Sequence, residues 1–282
     1  MQSQQWIRLP NSKAKVFYSE NQTDSTKIPV ILTHGLFSNH RVCFRLAEYL
    51  SGHGYACYIV EWPHRQTSLK KSLVTYTFDS LAVELVPEAI NHIMTIHSVA
   101  PFWIGHSGGG ILPSISLARG IIDDSSLSGI VMLATQTAYA ITSPYKRPLF
   151  YALEQLINLG LFSGPFLKLG PVNENSSIMR QWVRWNRSGK FVGSDGFDYE
   201  TPLWKCQVPV LCLAGAGDKF IAPPEACKRF VSLFGGPDNT FQRLGVDAGF
   251  AEDYSHAGII RSEAAKSEVW PMILDWLEQR GN

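Results

Sequence analysis

The sequence predicts an α/β fold in which a mostly parallel sheet has helices on both faces and a helical cap is inserted into the chain. Short apolar runs rich in β-branched residues alternate with stretches at helical spacing, as expected for strands buried on both faces and for the helices that cover them. The chain has 282 residues, which is more than one ordinary domain needs. Residues 135–201 account for the surplus, because they contain no strand-like run and are rich in proline, leucine and aromatic residues.

The first predicted elements form one β-α-β unit. We expect strands at 28–33 and 55–60 and, between them, a helix over 41–50 that ends near two glycines. A further helix follows at 86–98, and Pro87 suits its first turn, where the missing N–H is tolerated. Strands that alternate with helices in this way predict a mainly parallel sheet.

The remaining core elements continue the alternation. A strand at 101–104 leads into a glycine-rich turn and a helix over 111–118. Pro113 has to lie in the first turn of that helix or bend it. Further strands are predicted at 129–134, 208–214 and 240–244, with helices at 224–233 and 263–279.

Residues 135–201 are predicted to form a mostly helical cap on a core domain made of residues 1–134 and 202–282. An amphipathic helix is expected at about 150–161. An apolar cap favours a substrate with a hydrophobic acyl or alcohol group. The apolar side chains that suggest this are Phe150, Leu153, Leu156, Leu161, Phe162 and Phe166.

A second stretch of the predicted cap combines arginine with tryptophan. Arg180 and Arg184 are four residues apart, so they share one face of a helix. One interpretation is that the two arginines hold an acidic group of a substrate. The interpretation that we favour is that Trp182 and Trp185 anchor the cap on the core while the arginines pair with carboxylates or loop carbonyls.

Charge and composition exclude several classes of function. Lys and Arg number 25 against 24 Asp and Glu, a formal net charge of +1, so the basic excess of a nucleic-acid-binding protein is missing. No apolar run reaches the roughly 18 residues that a membrane-spanning helix needs, and the N-terminus does not resemble a secretory signal, so we expect no stable membrane insertion. The five cysteines contain no C-x-x-C pair, which favours reduced thiols in a cytoplasmic protein. The oligomeric state stays open.

The most informative motif is Gly105-His106-Ser107-Gly108-Gly109, which follows a predicted strand and precedes a predicted helix. A serine in G-x-S-x-G lies on a sharp turn whose neighbours must be small, and the turn presents its hydroxyl at the carboxyl edge of the sheet. The N-terminus of the following helix favours developing negative charge. Ser107 is therefore the candidate nucleophile, whereas His106 is expected to pack on the other side of the turn.

A serine is a poor nucleophile unless a histidine takes its proton and an acid orients that histidine. Asp218 follows the predicted strand 208–214 in a turn of small residues, and His256 follows the last predicted strand. Because loops that follow parallel strands meet at one edge of the sheet, these two residues are the candidate acid and base. Asp247 and Asp253 lie in the long stretch between them and stay open as alternative acid partners.

The turn after the first predicted core strand, His34-Gly35-Leu36, is a candidate oxyanion site. A backbone N–H beside this glycine can act together with the N–H of Gly108, and each such donor contributes about 2.7 to 4 kcal/mol in the transition state. We assign the N–H of Leu36 as the second donor, with that of Phe37 as the alternative. The His34 side chain is expected to order this loop.

Taken in order along the chain, these motifs resemble the α/β-hydrolase superfamily. The resemblance runs from His34-Gly35 through the serine turn and the Asp218 turn to His256. It implies a serine esterase or lipase-like enzyme with an eight-stranded, mostly parallel sheet and a cap inserted after the strand at 129–134. One departure is the stretch between Asp218 and His256, which is longer than the family pattern.

No cofactor is expected for this chain. Its histidines show no metal-ligand spacing such as H-E-x-x-H, and its G-x-G strings lack the later acidic residue of a dinucleotide-binding motif. The resulting hypothesis is a carboxylic ester hydrolase that cleaves a small-molecule ester through Ser107, His256, Asp218 and an acyl-enzyme. Hydrolysis of thioesters, amides or carbon–carbon bonds and a non-catalytic ligand-binding protein of this fold stay open.

Overall fold

The computed structural model describes residues 3–10, 12–18, 28–63, 76–161 and 170–281. The described residues form one eight-stranded sheet. Its strands are β1 (Ser3–Arg8), β2 (Lys13–Tyr18), β3 (Val30–Thr33), β4 (Cys57–Glu61), β5 (Phe102–His106), β6 (Gly129–Leu133), β7 (Val210–Gly215) and β8 (Asn239–Leu244). Their order across the sheet is β1-β2-β4-β3-β5-β6-β7-β8.

The helices of the described residues follow in chain order. They are α1 (Phe44–Gly52), α2 (Phe78–His97), α3 (Gly108–Ala118), α4 (Arg147–Asn158), α5 (Ser176–Ser188), α6 (Glu200–Leu203), α7 (Pro224–Val231), α8 (Gly258–Arg261), α9 (Glu263–Ser267) and α10 (Val269–Glu278). None of these helices is both long and apolar enough to cross a membrane.

Strands β3 to β8 run parallel, as the sequence predicts, while β1 and β2 add an antiparallel edge. The predicted strands between residues 28 and 244 are all confirmed. Periodicity did not reveal β1 and β2, because these edge strands mix polar and apolar residues and are only partly buried. The eight-stranded count that the resemblance implies is correct.

The sheet reverses its strand order at β3. The chain passes from β3 through α1 to the neighbour β4, then back through α2 to β5 on the other side of β3. Because crossover connections between parallel strands are right-handed, this reversal puts α1 and α2 on opposite faces of the sheet. A crevice therefore opens between the carboxyl ends of β3 and β5, where ligands bind in open α/β sheets.

The predicted position of Pro87 in a first helical turn is wrong. Helix α2 begins at Phe78 and contains Pro87 in its interior. The start is set by Thr77, whose side chain accepts from the Ser80 N–H while the Ser80 hydroxyl accepts from the Thr77 N–H. This capping box offsets the loss of one helical hydrogen bond at Pro87.

Two other predicted helices also differ from the structure. Helix α3 begins at Gly108, three residues earlier than predicted, so Pro113 lies beyond its first turn; the alternative, that it bends the helix, stays a prediction. The long helix predicted at 263–279 is divided into α9 and α10. The break falls at Glu268, whose carboxylate accepts from the Ala251 N–H and the Tyr254 hydroxyl. A side chain that binds a neighbouring loop thus interrupts a pattern that is helical by periodicity alone.

The segment between β6 and β7 contains α4, α5 and the short α6, and α4 and α5 pack against each other. Its last part packs on the core instead. Phe191 contacts Phe230 of α7, and the Tyr199 hydroxyl donates to Asp79 of α2. The domain boundaries at residues 134 and 202 stay a prediction. Two residues assigned to the apolar cap surface, Phe162 and Phe166, lie outside the described residues.

Candidate active site

Four loops that follow β3, β5, β7 and β8 carry the candidate site residues. All four leave the carboxyl edge of the parallel part of the sheet. The loop after β3 and the turn after β5 flank the crevice at which the strand order reverses. The sequence-predicted residues from four separate parts of the chain therefore lie at one place.

The turn between β5 and α3 is tightly packed. Ser107 has φ 55° and ψ −122°, a conformation that costs a residue other than glycine about 1–3 kcal/mol. A Cβ on Gly105 would lie 2.2 Å from the Gly110 nitrogen, and a Cβ on Gly109 would lie 2.7 Å from the Thr33 carbonyl oxygen. The glycines of the motif are therefore required by the close approach of α3 to the ends of β3 and β5.

The side chains of Ser107, His256 and Asp218 form a chain of hydrogen bonds. The His256 Nε2 atom lies 2.9 Å from Ser107 Oγ, and Nδ1 lies 2.5 Å from Asp218 Oδ2. Because a carboxylate can only accept, Nδ1–H donates to Asp218 and leaves Nε2 to accept from the serine hydroxyl. The structure thus brings together the three residues that the sequence proposed as nucleophile, base and acid.

The Asp218 carboxyl group is buried and well supplied with hydrogen-bond donors. Its Oδ1 accepts from the Ile221 N–H at 3.0 Å. Burial by itself raises the pKa of Asp218, but the hydrogen bond and charge of His256, together with backbone N–H groups of Ala222 and Ile221, outweigh it and hold the pKa below its ordinary value. Asp218 is therefore ionised at neutral pH.

The two alternative acids have other partners. Asp247 pairs with Arg243 on the surface, and Asp253 accepts from the Val246 N–H at 3.0 Å. Among the described residues, Asp218 is the acid in hydrogen-bond contact with the His256 ring.

The loop after β3, residues 34–37, lies directly against the serine. A Cβ on Gly35 would be 3.0 Å from Ser107 Oγ. Among the described residues, the N–H groups of Leu36 and Gly108 have no protein acceptor, whereas the N–H of Phe37 donates to the Glu174 carboxylate at 3.3 Å. Of the two N–H groups proposed as donors in this loop, that of Phe37 therefore has an acceptor among the described residues and that of Leu36 has none.

Two histidines beside the site are used inside the protein. His34 Nδ1 lies 2.9 Å from the Gly35 carbonyl oxygen, and its Nε2 accepts from the Trp62 N–H at 3.3 Å. His106 Nε2 lies 2.8 Å from the His256 carbonyl oxygen, so this nitrogen carries the proton. Burial, followed by the nearby charge of His256, lowers the pKa of His106 to about 3. The contacts of His34 order the loop after β3, and the contact of His106 orders the loop that carries His256.

A cavity of about 370 Å³ opens on Ser107 and His256. Gln136, a polar side chain in its wall, is already committed, because its amide nitrogen donates to the Ile221 carbonyl and its oxygen accepts from the Tyr139 N–H. The apolar walls include Phe78, Ile111, Leu153, Met179, Trp182 and Phe220. The cavity therefore suits an uncharged, apolar group.

The sequence predicted only part of this wall. Leu153 and Leu156 line the cavity, whereas Phe150 is buried behind it against Trp182 and Leu161 is exposed. Phe78, a wall residue on α2, carries no recognisable signal in the sequence, because an apolar residue at a helix start is common in any core.

The arginine-tryptophan stretch forms α5. Arg180 and Arg184 are exposed and do not line the cavity, so the structure gives no support to a role in holding an acidic group. Trp185 stacks on Phe78 of α2 at 5.3 Å, as expected for an anchor on the core, whereas Trp182 packs against Phe150 of α4. Pairing of the two arginines with carboxylates or loop carbonyls stays a prediction. Among the described residues, no three His, Cys, Asp or Glu side chains are placed to hold a metal ion.

The model of the Alpha/beta hydrolase family matches residues 30–256 of the chain. No curated protein sequence matches the chain significantly. The matched range contains the loop after β3, the Ser107 turn, Asp218 and His256, and therefore all the candidate site residues.

Solved structures share the fold over nearly the whole chain. The monoacylglycerol lipase of Paleococcus ferrophilus has a TM-score of 0.61 at 19% identity, covering 98% of this chain and 100% of that one. A thermophilic esterase of Thermogutta terrifontis has a TM-score of 0.63 at 15% identity, covering 99% and 100%. An esterase of Exiguobacterium antarcticum has a TM-score of 0.66 at 15% identity, covering 97% and 98%. At these identities the likeness shows a common fold.

Proposed function

We propose that this chain, which belongs to the alpha/beta hydrolase family, is a serine hydrolase that cleaves carboxylic esters with an apolar acyl or alcohol group. The observation that carries the proposal is the hydrogen-bond chain from Ser107 through His256 to Asp218, which opens on an apolar cavity. Esterases and a lipase among the structures of the same fold support this choice of reaction.

In the first half of the reaction, Ser107 Oγ attacks the carbonyl carbon of the ester. His256 Nε2 takes the hydroxyl proton, and the Asp218 carboxylate stabilises the resulting imidazolium. The carbonyl oxygen becomes an oxyanion that accepts from the N–H groups of Leu36 and Gly108. Each donor contributes about 2.7 to 4 kcal/mol to transition-state stabilisation.

Collapse of the tetrahedral intermediate breaks the bond between the carbonyl carbon and the alcohol oxygen. His256 gives its proton to the departing alcohol, and the acyl group stays on Ser107. Water then attacks the acyl carbon while His256 takes one of its protons, which it returns to Ser107 Oγ as the carboxylic acid leaves.

Electrostatics of the cavity support an apolar substrate. The Asp218 carboxylate is paired with His256, and Gln136 is engaged by backbone groups. An acyl chain buried there gains about 0.8 kcal/mol for each methylene group removed from water. A substrate group carrying a net charge would lose its hydration without gaining a partner.

A fluorophosphonate probe and p-nitrophenyl esters of increasing acyl length test the proposal. We expect the probe to label the wild-type protein at Ser107 and Ser107→Ala to remain unlabelled. We expect wild-type ester hydrolysis to be lost in the same variant. Absence of labelling, or equal labelling of both proteins, would contradict the nucleophile. If the probe labels Ser107 but no ester is hydrolysed, the proposed substrate bond becomes a thioester, an amide or a carbon–carbon bond.

The acid is tested with a matched pair of variants. Asp218→Asn should lower kcat about 10³- to 10⁴-fold, because the amide does not hold the tautomer of His256 that accepts the serine proton. Asp247→Asn should leave kcat unchanged, since Asp247 pairs with Arg243 on the surface. If Asp247→Asn lowers kcat and Asp218→Asn does not, the acid lies in the loop between β8 and α8.

A further inference from the structure

A buried carboxylate, that of Glu174, lies against the loop that follows β3. The Phe37 N–H donates to Glu174 Oε2 at 3.3 Å, although the two residues are 137 positions apart. The Phe37 carbonyl oxygen accepts from the Val172 N–H at 3.3 Å. The segment that precedes α5 therefore binds both backbone polar groups of Phe37.

Phe37 has a backbone conformation that needs such support. Its φ of 60° lies in the left-handed region, where a residue other than glycine persists only if its surroundings enforce it. A Cβ on Gly170 would lie 2.1 Å from the Phe37 carbonyl oxygen. The chain at residue 170 thus lies so close to the loop that only glycine fits there. This contact keeps Phe37 in its left-handed backbone conformation.

The Glu174 carboxyl group is itself held in place by further donors. Its Oε1 accepts from the Tyr76 hydroxyl at 2.5 Å and from the Asn175 N–H at 3.0 Å. Burial raises the pKa of Glu174, and the hydrogen bonds from Tyr76, Asn175 and Phe37 only partly offset it.

The position of the Leu36 N–H depends on both of its neighbours. Gly35 lies against Ser107, and Phe37 is held by the segment that carries Glu174. We propose that Glu174 is a positioning residue, which binds the Phe37 N–H and thereby directs the Leu36 N–H toward the acyl oxygen. This inference rests on the proposed function, because it requires an oxyanion to be formed beside Ser107.

Three variants test the proposal in ester hydrolysis. Glu174→Ala removes the acceptor of the Phe37 N–H, and we expect kcat to fall about tenfold to hundredfold while KM changes less than about threefold. Glu174→Gln has one amide oxygen for donors on two sides, the Phe37 N–H on one and the Tyr76 hydroxyl and Asn175 N–H on the other, so it should lower kcat, but less than Glu174→Ala does. Glu154→Ala, which removes an ion pair with Arg187 between α4 and α5, is the matched control and should not change kcat.

Two further readouts separate positioning from a general structural effect. A boronic acid forms a tetrahedral, anionic adduct with the serine, so its affinity for Glu174→Ala should fall by the same factor as kcat. Amide exchange in residues 34–38 should be faster in Glu174→Ala than in wild type, and unchanged in Glu154→Ala. If Glu174 had only a structural role, the boronate affinity would change by the same factor as KM and not by the same factor as kcat.

Several outcomes would overturn the inference. These are equal kcat values for Glu174→Ala and Glu154→Ala, a loss confined to KM, or unchanged exchange in the loop. If Glu174→Ala does not fold, Tyr76→Phe removes only the hydroxyl donor to Glu174 and should lower kcat about three- to tenfold; an unchanged kcat would again overturn it. If wild type is not labelled by the fluorophosphonate, the proposed function fails, and the exchange measurement alone decides whether Glu174 holds the loop.

Discussion

His106 and Ser107 are adjacent in the chain, but burial gives them different properties. The Ser107 side chain faces the cavity, whereas the His106 ring is buried and donates to the His256 carbonyl oxygen. His106 Nδ1 has no hydrogen-bond partner among the described residues, so a proton on it would not be stabilised. The result is a neutral histidine that holds the backbone of the proposed base.

The depressed pKa of His106 predicts how stability changes with pH. The unfolded chain binds a proton at this histidine below about pH 6.5, whereas the folded state does so only near a pKa of about 3. The free energy of unfolding therefore falls as the pH decreases through this range, by about 2 kcal/mol between pH 7 and pH 5 from His106 alone. His106→Gln, which keeps a donor for His256 but does not titrate, should remove this contribution.

Urea unfolding at pH 7 and pH 5 measures the difference. His53→Gln is the matched control, because His53 is exposed and should leave the wild-type dependence unchanged. If His106→Gln loses as much stability as wild type over this range, His106 is not buried as a neutral ring.

Individual residues show where sequence reasoning was sufficient and where it was not. Ser107, Asp218 and His256 could be selected because each follows a strand in a recognisable turn. Glu174 could not, since its contact with Phe37 joins positions 137 residues apart and a lone glutamate in the segment before α5 carries no local signal.

At the scale of elements, helix α4 gives one side to the cavity and the other to solvent. Leu149, Leu153 and Leu156 line the cavity at helical spacing, whereas Tyr151 on the opposite side of α4 is 55% exposed. Leu159, just after the helix, is 70% exposed and outside the cavity wall. The spacing of three and four residues is what places three leucines on one face. The substrate range is therefore expected to depend on this face of α4.

Replacing Leu153 by tryptophan should shorten the acyl chains that the cavity accepts. The larger ring fills space that a long acyl chain would occupy, so kcat/KM for p-nitrophenyl decanoate should fall about tenfold or more, which corresponds to a loss of about 1.4 kcal/mol. Hydrolysis of the butyrate ester should change less than about threefold. Leu159→Trp places the same ring outside the cavity and should leave the chain-length profile unchanged; equal profiles for both variants would contradict the assignment of the wall.

The core elements were the most predictable ones. Parallel strands that are buried on both faces appear as continuous apolar runs, which is why the sequence predicts β3 to β7. Strand β8 is a partly buried edge strand without such a run. Helix ends were less predictable, because α2 and the break before α10 depend on side chains that bind neighbouring backbone.

At the scale of the whole molecule, the helices between β6 and β7 are tied to the core by specific contacts. Trp185 of α5 stacks on Phe78 of α2. The Asn186 side chain accepts from the Ala140 N–H at 2.7 Å and donates to the Thr137 carbonyl at 2.9 Å, which joins α5 to the segment leaving β6. These contacts are buried, so breaking them exposes unpaired polar groups as well as aromatic surface.

We therefore expect the helical segment and the core to unfold together. Urea unfolding followed by tryptophan fluorescence and by far-ultraviolet circular dichroism should give one common midpoint. Asn186→Ala should lower both midpoints by the same amount. A fluorescence change at lower urea than the change in circular dichroism, absent when Trp182 and Trp185 are both replaced by phenylalanine, would show instead that the segment carrying them unfolds independently.

The sequence by itself determined the parallel core, the order of the strand-end motifs and the choice of Ser107, Asp218 and His256 as candidates. These features are local, because a buried strand and a tight turn each require particular residue types at neighbouring positions. Only the tertiary structure decided which aspartate reaches the His256 ring, which of the two N–H groups beside Gly35 has an acceptor in the protein, and that this acceptor is Glu174. Those features depend on contacts between distant parts of the chain, which burial and hydrogen bonding select only after the sheet has brought the loops to one edge.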